Sequence, residues 1–490
     1  MAADSTVTPD PALYVAAPDR DRQVAAHLAR VLAMREGEAA VLGLGASGRS
    51  AARLLRGIGF RVYASEALDG AAQRETAQAL RALGIDVALG THDLARIARA
   101  VCVVVSPGIA PEAAPIAAAR AAGVPVVSEV EVALRLMPAL RFIAVTGTNG
   151  KTTTTALIGH MLRALGHDAV DAGNIGVPVT DLVARDPQPT WAALELSSFQ
   201  LHDTPGLQPG VGVLTTLSAD HLDRYPSVEA YYADKARMFA NADERSQWVV
   251  SADSEDIARM MQGVPGTIAR FSTRSRDVDA WFDREADLLT LDGAPFMPRA
   301  DVPLLGDHNV ANVLAAALAV TRAAPAHRTA EDRARLADAV RAFAALPHRL
   351  APVTTRGDVL YIDDSKATNV DSTLVALEGM TKPTVLLLGG RHKGEPYTAL
   401  AAPLARCGRA VLCYGEAGEL AASQLGPVLA PAVPVEWMRA ATFEQVMARA
   451  AELARPGDAV LLSPACSSYD MFTNYIERGR RFAALARGEA

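Results

Sequence analysis

Residues 142–154 read Phe-Ile-Ala-Val-Thr-Gly-Thr-Asn-Gly-Lys-Thr-Thr-Thr: an aliphatic run, a turn holding Gly147 and Gly150, then Lys151 and Thr152 heading a helix-like segment. A strand, glycine turn and helix in that order aim backbone N–H groups and the positive end of a helix at one point, where phosphate oxygens bind. Lys151 would then reach terminal phosphates and Thr152 a magnesium ion. An ordinary strand-to-helix turn does not call for Gly-Lys-Thr at the helix start. The spacing departs from GxxxxGK[ST], because the residue five before Gly150 is Val145. Further groups able to do chemistry follow aliphatic runs: Glu195 after Trp191–Leu194, and His221 after Val213–Leu217. Open α/β sheets bind ligands at such strand ends. Lys235 falls in a helical stretch, 228–240, where a lysine taken alone is a solvated group. Asn309 and Asn312 are three apart, so a helix puts both amides on one face.

Those groups need a scaffold, and the chain writes one. From about Ala39, short aliphatic runs alternate with helical stretches: 61–65, 101–106 and 124–128, then 142–145. The rhythm restarts at 359–363, 384–390, 410–415 and 459–465. It implies parallel sheets covered by helices. Breaks near Ala139 and at Leu346-Pro347 divide the chain, and 490 residues are too many for one core. Residues 1–35 read as an N-terminal extension, helical around 24–34. The polar stretch 273–303 reads as solvated loop or hairpin without chemistry.

With 48 Lys and Arg against 55 Asp and Glu, a basic surface tracking nucleic acid is excluded. The four cysteines show no CxxC, which leaves neither a disulfide framework nor a zinc site and fits a reducing cytoplasm. No run reaches the length of a membrane span.

Gly43-Leu-Gly-Ala-Ser-Gly48, with Glu66 closing the next strand, matches a dinucleotide fingerprint and taken alone predicts a nicotinamide or flavin enzyme. The phosphate loop decides differently. TGTNGKTTT resembles the ATP loop of the Mur ligases and their folylpolyglutamate synthase relatives. GNIG at 173–176, ELSSFQL at 195–201, DHLDRY at 220–225, LPHR at 346–349, DDSKATN at 363–369 and LLSPACSSYDMF at 461–472 are similar to the glutamate-adding branch, in the family's order.

The resemblance implies an α/β fold of three domains after the extension: a Rossmann-like UDP-sugar domain (36–138), a P-loop ATPase-like domain (139–345) and a Rossmann-like amino-acid domain (346–490). It implies a cytoplasmic, monomeric ligase of peptidoglycan precursor synthesis, in which ATP activates the carboxylate of a UDP-N-acetylmuramoyl-L-alanine and the amine of D-glutamate displaces phosphate. ATP would be held by Gly147, Thr148, Asn149, Gly150, Lys151, Thr152 and Thr153, with Asn309 and Asn312 on adenine, and Arg349, Asp364 and Lys366 over the phosphates. Thr152, Glu195, His221 and Lys235, the last as a carbamate, would hold two Mg2+ ions, and Lys151, Glu195, His221 and Lys235 form the catalytic set. Leu44, Ala46, Ser47, Ser106, Gly108, Asn174, Ser197 and His221 would contact the UDP-sugar. Where the family carries an arginine near uridine, this chain has Ala64-Ser65-Glu66, leaving Arg49 or Arg61 to compensate. Thr368, Lys393, Ser468, Tyr469 and Tyr475 would hold D-glutamate, and Cys466 is structural. Domain closure is expected to assemble the parts. Readings left open are another Mur ligase, a folylpolyglutamate-type synthase, a dehydrogenase built on GLGASG, and a nucleotide-binding protein that ligates nothing.

Overall fold

The computed structural model describes residues 19–222 and 224–489, so Asp223 and residues 1–18 of the expected extension lie outside the described residues. Helix Asp19–Met34 covers the helical part of that extension. The chain falls into two compact units, one of Met1–Leu217, Glu229–Met297 and Asn312–Val340, the other of Ser218–Val228, Pro298–Ala311 and Arg341–Ala490.

The first unit holds two sheets. Strands β1 (Glu38–Leu42), β2 (Arg61–Glu66), β3 (Asp86–Leu89), β4 (Cys102–Val105) and β5 (Val126–Ser128) form a parallel sheet in the order β3-β2-β1-β4-β5. The second sheet contains β6 (Arg141–Thr146), β7 (Ala169–Gly173), β8 (Trp191–Glu195), β9 (Val211–Leu214), β10 (Gln247–Ser251), β11 (Thr267–Ser272), β12 (Ala280–Asp283), β13 (Leu288–Leu291) and β14 (Ala294–Pro298). Its order is β14-β13-β12-β11-β10-β9-β6-β8-β7. The strand order reverses at β1 in one sheet and at β6 in the other. Their carboxyl ends, where Gly43 and Gly147 begin the two glycine loops, are therefore the crevices that such sheets offer to ligands.

The stretch expected as solvated loop or hairpin supplies β12 to β14 at the sheet's edge, and β12 pairs antiparallel with β13. Core strands β4 and β8 are buried at every position, as parallel strands covered on both faces must be. Buried Glu129 joins the two sheets' helices, accepting the Val179 and Thr180 N–H groups and the Thr180 hydroxyl.

The second unit is built on β15 (Ala351–Arg356), β16 (Val359–Asp363), β17 (Thr384–Gly389), β18 (Gly408–Tyr414), β19 (Val435–Trp437) and β20 (Ala459–Leu462), in the order β15-β16-β20-β17-β18-β19. All pairs are parallel except β15 with β16. Adjacent β16, β20 and β17 end together, so the loops that follow them, with Asp364, Ser468 and Lys393, leave one sheet edge. Among the described residues no helix is long and apolar enough to cross a membrane.

Candidate active site

β6 runs straight into the loop, and helix Lys151–Ala164 starts from Gly150, whose φ of 83° is left-handed. Gly147 has φ 143°. A Cβ at Gly147 would overlap the Thr215 hydroxyl and stand 3.0 Å from the Thr216 nitrogen. At Gly150 it would stand 2.5 Å from Asn312 Oδ1. The loop is held from the far side: Thr148 N–H donates to Thr216 O (2.8 Å), Asn149 N–H to Thr216 Oγ1 (2.9 Å) and Thr215 Oγ1 to Asn149 O (2.6 Å). The sequence reading did not single out Thr215 and Thr216, although they directly follow β9, the strand beside β6. Lys151 Nζ donates to Gly147 O (3.0 Å) and Thr148 O (2.6 Å), which keeps the ammonium on the loop. Asn312 Oδ1 accepts from Thr154 Oγ1 at 3.2 Å, whereas the Asn309 amide donates to Leu305 O at 2.7 Å.

Lys235 is not a solvated helix lysine. It is 1% exposed, at the end of helix Val228–Ala236, with Nζ donating to Gly147 O at 2.6 Å and lying 4.4 Å from the centre of the Tyr231 ring. Tyr231 in turn donates its hydroxyl to Thr148 Oγ1 at 3.4 Å. Next to Lys235, Asp234 is tied to His202 Nδ1 at 2.7 Å. Burial works against the charge of His202, but the Asp234 carboxylate outweighs it and holds the imidazole above its ordinary pKa.

Glu195 closes β8, is 1% exposed and pairs in register with Val145 of β6. Asn174 Nδ2 donates to its Oε1 at 2.7 Å, and the Asn174 N–H donates to its carbonyl at 2.9 Å. Ser197 caps the short helix Ser198–His202 in a reciprocal box with Gln200. Thr152 and Glu195 are hard oxygen donors, and among the described residues no group of three His, Cys, Asp or Glu is placed to hold a metal. This donor set fits Mg2+, which keeps water and phosphate oxygens as ligands and needs few from protein. The glycine loop, with no room for a Cβ at Gly147 or Gly150 and Lys151 at the start of its helix, fits a nucleotide's phosphates.

In the first sheet, Ser106 of the SPGIA loop donates its hydroxyl to Gly43 O at 3.3 Å, so Ser106 and Gly108 lie on the loop that meets GLGASG. Ala46 and Ser47 open helix Ala46–Gly57, whose cap residue Gly45 contributes no side chain. The Leu44 N–H donates to Glu66 Oε2 at 2.9 Å. Arg49 donates to Leu44 O at 3.2 Å, while Arg61 opens β2, the end away from the loop. Of the two arginines left open by the sequence, Arg49 is the one beside the GLGASG loop.

The second unit assembles its own cluster. His221 has φ 56°, uncommon for a residue with a side chain, and its N–H is held by Asp220 Oδ1 at 2.8 Å. Asp220 Oδ2 accepts from Asn369 Nδ2 at 3.0 Å, and Oδ1 lies 3.6 Å from Lys393 Nζ. Lys393 Nζ also reaches Thr368 Oγ1 at 3.4 Å. Asp364 is buried, accepting from the Leu350 N–H (3.2 Å) and Ser463 Oγ (2.8 Å), and burial pushes its carboxyl up to about 7. Its neighbour Lys366 stands over the Tyr475 ring at 5.4 Å, and Arg349 lies in the turn after Leu346. Ser468 is buried and Tyr469 is 65% exposed. Cys466 is buried against the Tyr397 hydroxyl, and burial pushes its thiol up to about 12, so it is no nucleophile. Asp220 and Asn369 lie inside motif strings, but only the fold shows that they join.

Three family domains match this chain: the MurD-like N-terminal domain of Mur ligases over residues 37–128, the Mur ligase middle domain over 145–320 and the Mur ligase glutamate ligase domain over 348–466. A UDP-N-acetylmuramoylalanine–D-glutamate ligase of Trichlorobacter lovleyi is 38% identical over 456 residues, covering 93% of this chain and 99% of that one. The ligase of the same name from Salinibacter ruber is 39% identical over 475 residues, covering 92% and 98%. Among solved structures, a murein peptide ligase from Psychrobacter arcticus superposes with TM-score 0.52 at 18% identity, covering 93% of this chain and 99% of that one. A pseudomurein peptide ligase type C from Methanothermus fervidus gives 0.56 at 17%, covering 91% and 99%. At such identities the likeness is one of fold.

Proposed function

The chain belongs to the Mur ligase family, and from that premise we propose that it joins D-glutamate to UDP-N-acetylmuramoyl-L-alanine, consuming ATP and releasing ADP and phosphate. A free carboxylate resists amine attack because oxide would have to leave. Transfer of the γ-phosphoryl group from ATP to the alanine carboxylate forms an acyl phosphate and ADP. The D-glutamate amine then adds to its carbonyl carbon, the C–O bond to phosphate breaks, the nitrogen loses a proton and an amide remains. The protein's contribution to both steps is position and charge.

The observation that carries this reading is Lys235, a lysine the bare sequence would place in solvent, buried with its Nζ on the carbonyl of Gly147 in the phosphate loop. The loop N–H groups and Lys151 would hold the ATP phosphates. Asn174 orients Glu195 through its 2.7 Å hydrogen bond. When bound, Mg2+ would neutralise phosphate charge, with Thr152, Glu195 and Lys235 as carbamate among its holders and His221 assigned from the motif. A desolvated amine loses its proton more readily and so can capture carbon dioxide, turning a cation into an oxygen ligand. Asn312 beside the loop and Asn309 are assigned to adenine. Arg349, Lys366 and Asp364 are assigned to the transferred phosphoryl group, and Thr368, Lys393, Ser468, Tyr469 and Tyr475 to the amino acid. Leu44, Ala46, Ser47, Ser106, Gly108 and Ser197 are assigned to the UDP-sugar. We place the working domains at 36–138, 139–345 and 346–490, in a monomeric cytoplasmic enzyme.

The test is phosphate release from ATP with UDP-N-acetylmuramoyl-L-alanine and D- or L-amino acids in turn. Release is expected with D-glutamate and not with L-glutamate, and an L-lysine or dipeptide requirement would assign the chain to another branch.

A further inference from the structure

The loop after β17 carries Lys393, and two residues further on it holds a second ionisable group, Glu395, that the proposed reaction does not use. Glu395 Oε2 accepts the backbone N–H of Val370 at 2.8 Å. Val370 is the first residue of helix Val370–Glu378, a nine-residue helix capped by Asn369, whose Oδ1 takes the Ser372 N–H. The other carboxylate oxygen, Oε1, is buried without a hydrogen-bond partner. Burial, together with the carboxylates of Asp220 and Asp371, holds this acid near neutrality, its pKa raised to about 7. A surface acid with a free choice of rotamer would turn such an oxygen to water. This one is kept inside, with its partner oxygen on a helix amide.

The helix end held in this way follows directly on Thr368 and Asn369. Thr368 Oγ1 is 3.4 Å from Lys393 Nζ, and Asn369 ties Asp220, which lies 3.6 Å from the same ammonium. Gly394, with φ 95°, separates Lys393 from Glu395 and brings no side chain of its own. The Glu395 bond ties the Lys393 loop directly to a backbone N–H in the first turn of the helix.

We propose that Glu395 is a positioning residue for the incoming amino acid: it pins the Lys393 loop to the first turn of helix Val370–Glu378, so that the Lys393 ammonium and Thr368 hydroxyl are presented together to a carboxylate. This rests on the reading that the amino acid binds at Lys393 and Thr368.

Steady-state kinetics on the full chain test it with E395A, E395Q, E395D and K393A, scoring KM for D-glutamate against KM for ATP and kcat. E395A is expected to raise KM for D-glutamate roughly tenfold, the effect of losing about one hydrogen bond at the upper end of its usual worth, with KM for ATP within twofold. E395Q, whose amide oxygen still accepts the Val370 N–H, is expected to stay near wild type. E395D, one methylene too short to reach, is expected to behave as E395A, and the Q and D pair decides the matter if the alanine variant does not fold. Equal changes in every KM, or a D variant indistinguishable from wild type, would overturn the positioning role. If K393A leaves KM for D-glutamate unchanged, the amino-acid site itself is misplaced. A K393A effect without an E395D effect refutes only the inference about Glu395.

Discussion

Replacing Gly147 by alanine puts the phosphate loop to a quantitative test. Its φ of 143° is a conformation that residues with a side chain rarely adopt, and holding alanine there costs about 1–3 kcal/mol. The new methyl would also meet the Thr215 hydroxyl, whose single proton is shared between Asn149 O at 2.6 Å and Thr146 O at 3.2 Å. Turning that hydroxyl away gives up about 0.5–1.5 kcal/mol. The Thr216 nitrogen 3.0 Å away is backbone and has little room to yield. The loop would relieve the strain by leaving its observed conformation, and a nucleotide must then restore it on binding. Even the low end, about 1.5 kcal/mol, lowers apparent ATP affinity roughly tenfold. Calorimetric titration with ATP should show that loss. Affinity for the UDP-linked substrate, assigned to the GLGASG loop on another sheet, should remain within about threefold. ATP binding by G147A within threefold of wild type would refute the argument that this turn cradles the phosphates.

Lys235→Ala should abolish phosphate release, and short carboxylates such as acetate should restore part of it by supplying the missing oxygen ligand; full activity without rescue would exclude the carbamate. His167 Nε2 meets His327 Nε2 at 2.8 Å, and His327 Nδ1 lies 2.8 Å from Val320 O, so the pair is satisfied with neutral rings. Burial, followed by the charge of His327, holds the His167 pKa below its ordinary 6.5. An unfolded His167 takes up its proton first as pH falls, so this contribution to stability is complete above about pH 6.5 and declines below it. The urea midpoint should therefore drop between pH 7.5 and 5.5, and by less in His167→Gln; an equal drop in both would remove the pair from the account.

Much of the scaffold was legible because parallel strands buried on both faces must be written as aliphatic runs. The strand expected at 359–363 is found at Val359–Asp363, and that at 142–145 extends one residue at each end, to Arg141–Thr146. The phosphate loop was legible because its glycines are required locally, by backbone angle and by close approach. Lys235 was legible only through resemblance, since nothing in a helical lysine's neighbours announces that the fold will bury it. The Asn309 and Asn312 spacing was read correctly as helical, yet spacing does not reveal that one amide turns to Leu305 O and the other to Thr154. Glu395 carried no signal: its partner is a backbone N–H 25 residues away, and such contacts exist only once β17 and the helix starting at Val370 are packed. The choice between Arg49 and Arg61 likewise needed the direction of β2.

In the proposed reaction phosphate passes to a carboxylate before nitrogen arrives. UDP-N-acetylmuramoyl-L-alanine labelled with oxygen-18 in both carboxylate oxygens, turned over with ATP and D-glutamate, tests that order of bonds directly. One labelled oxygen per turnover is predicted in the released phosphate and one in the new amide. Phosphate free of label would show that the carboxylate never carried the phosphoryl group.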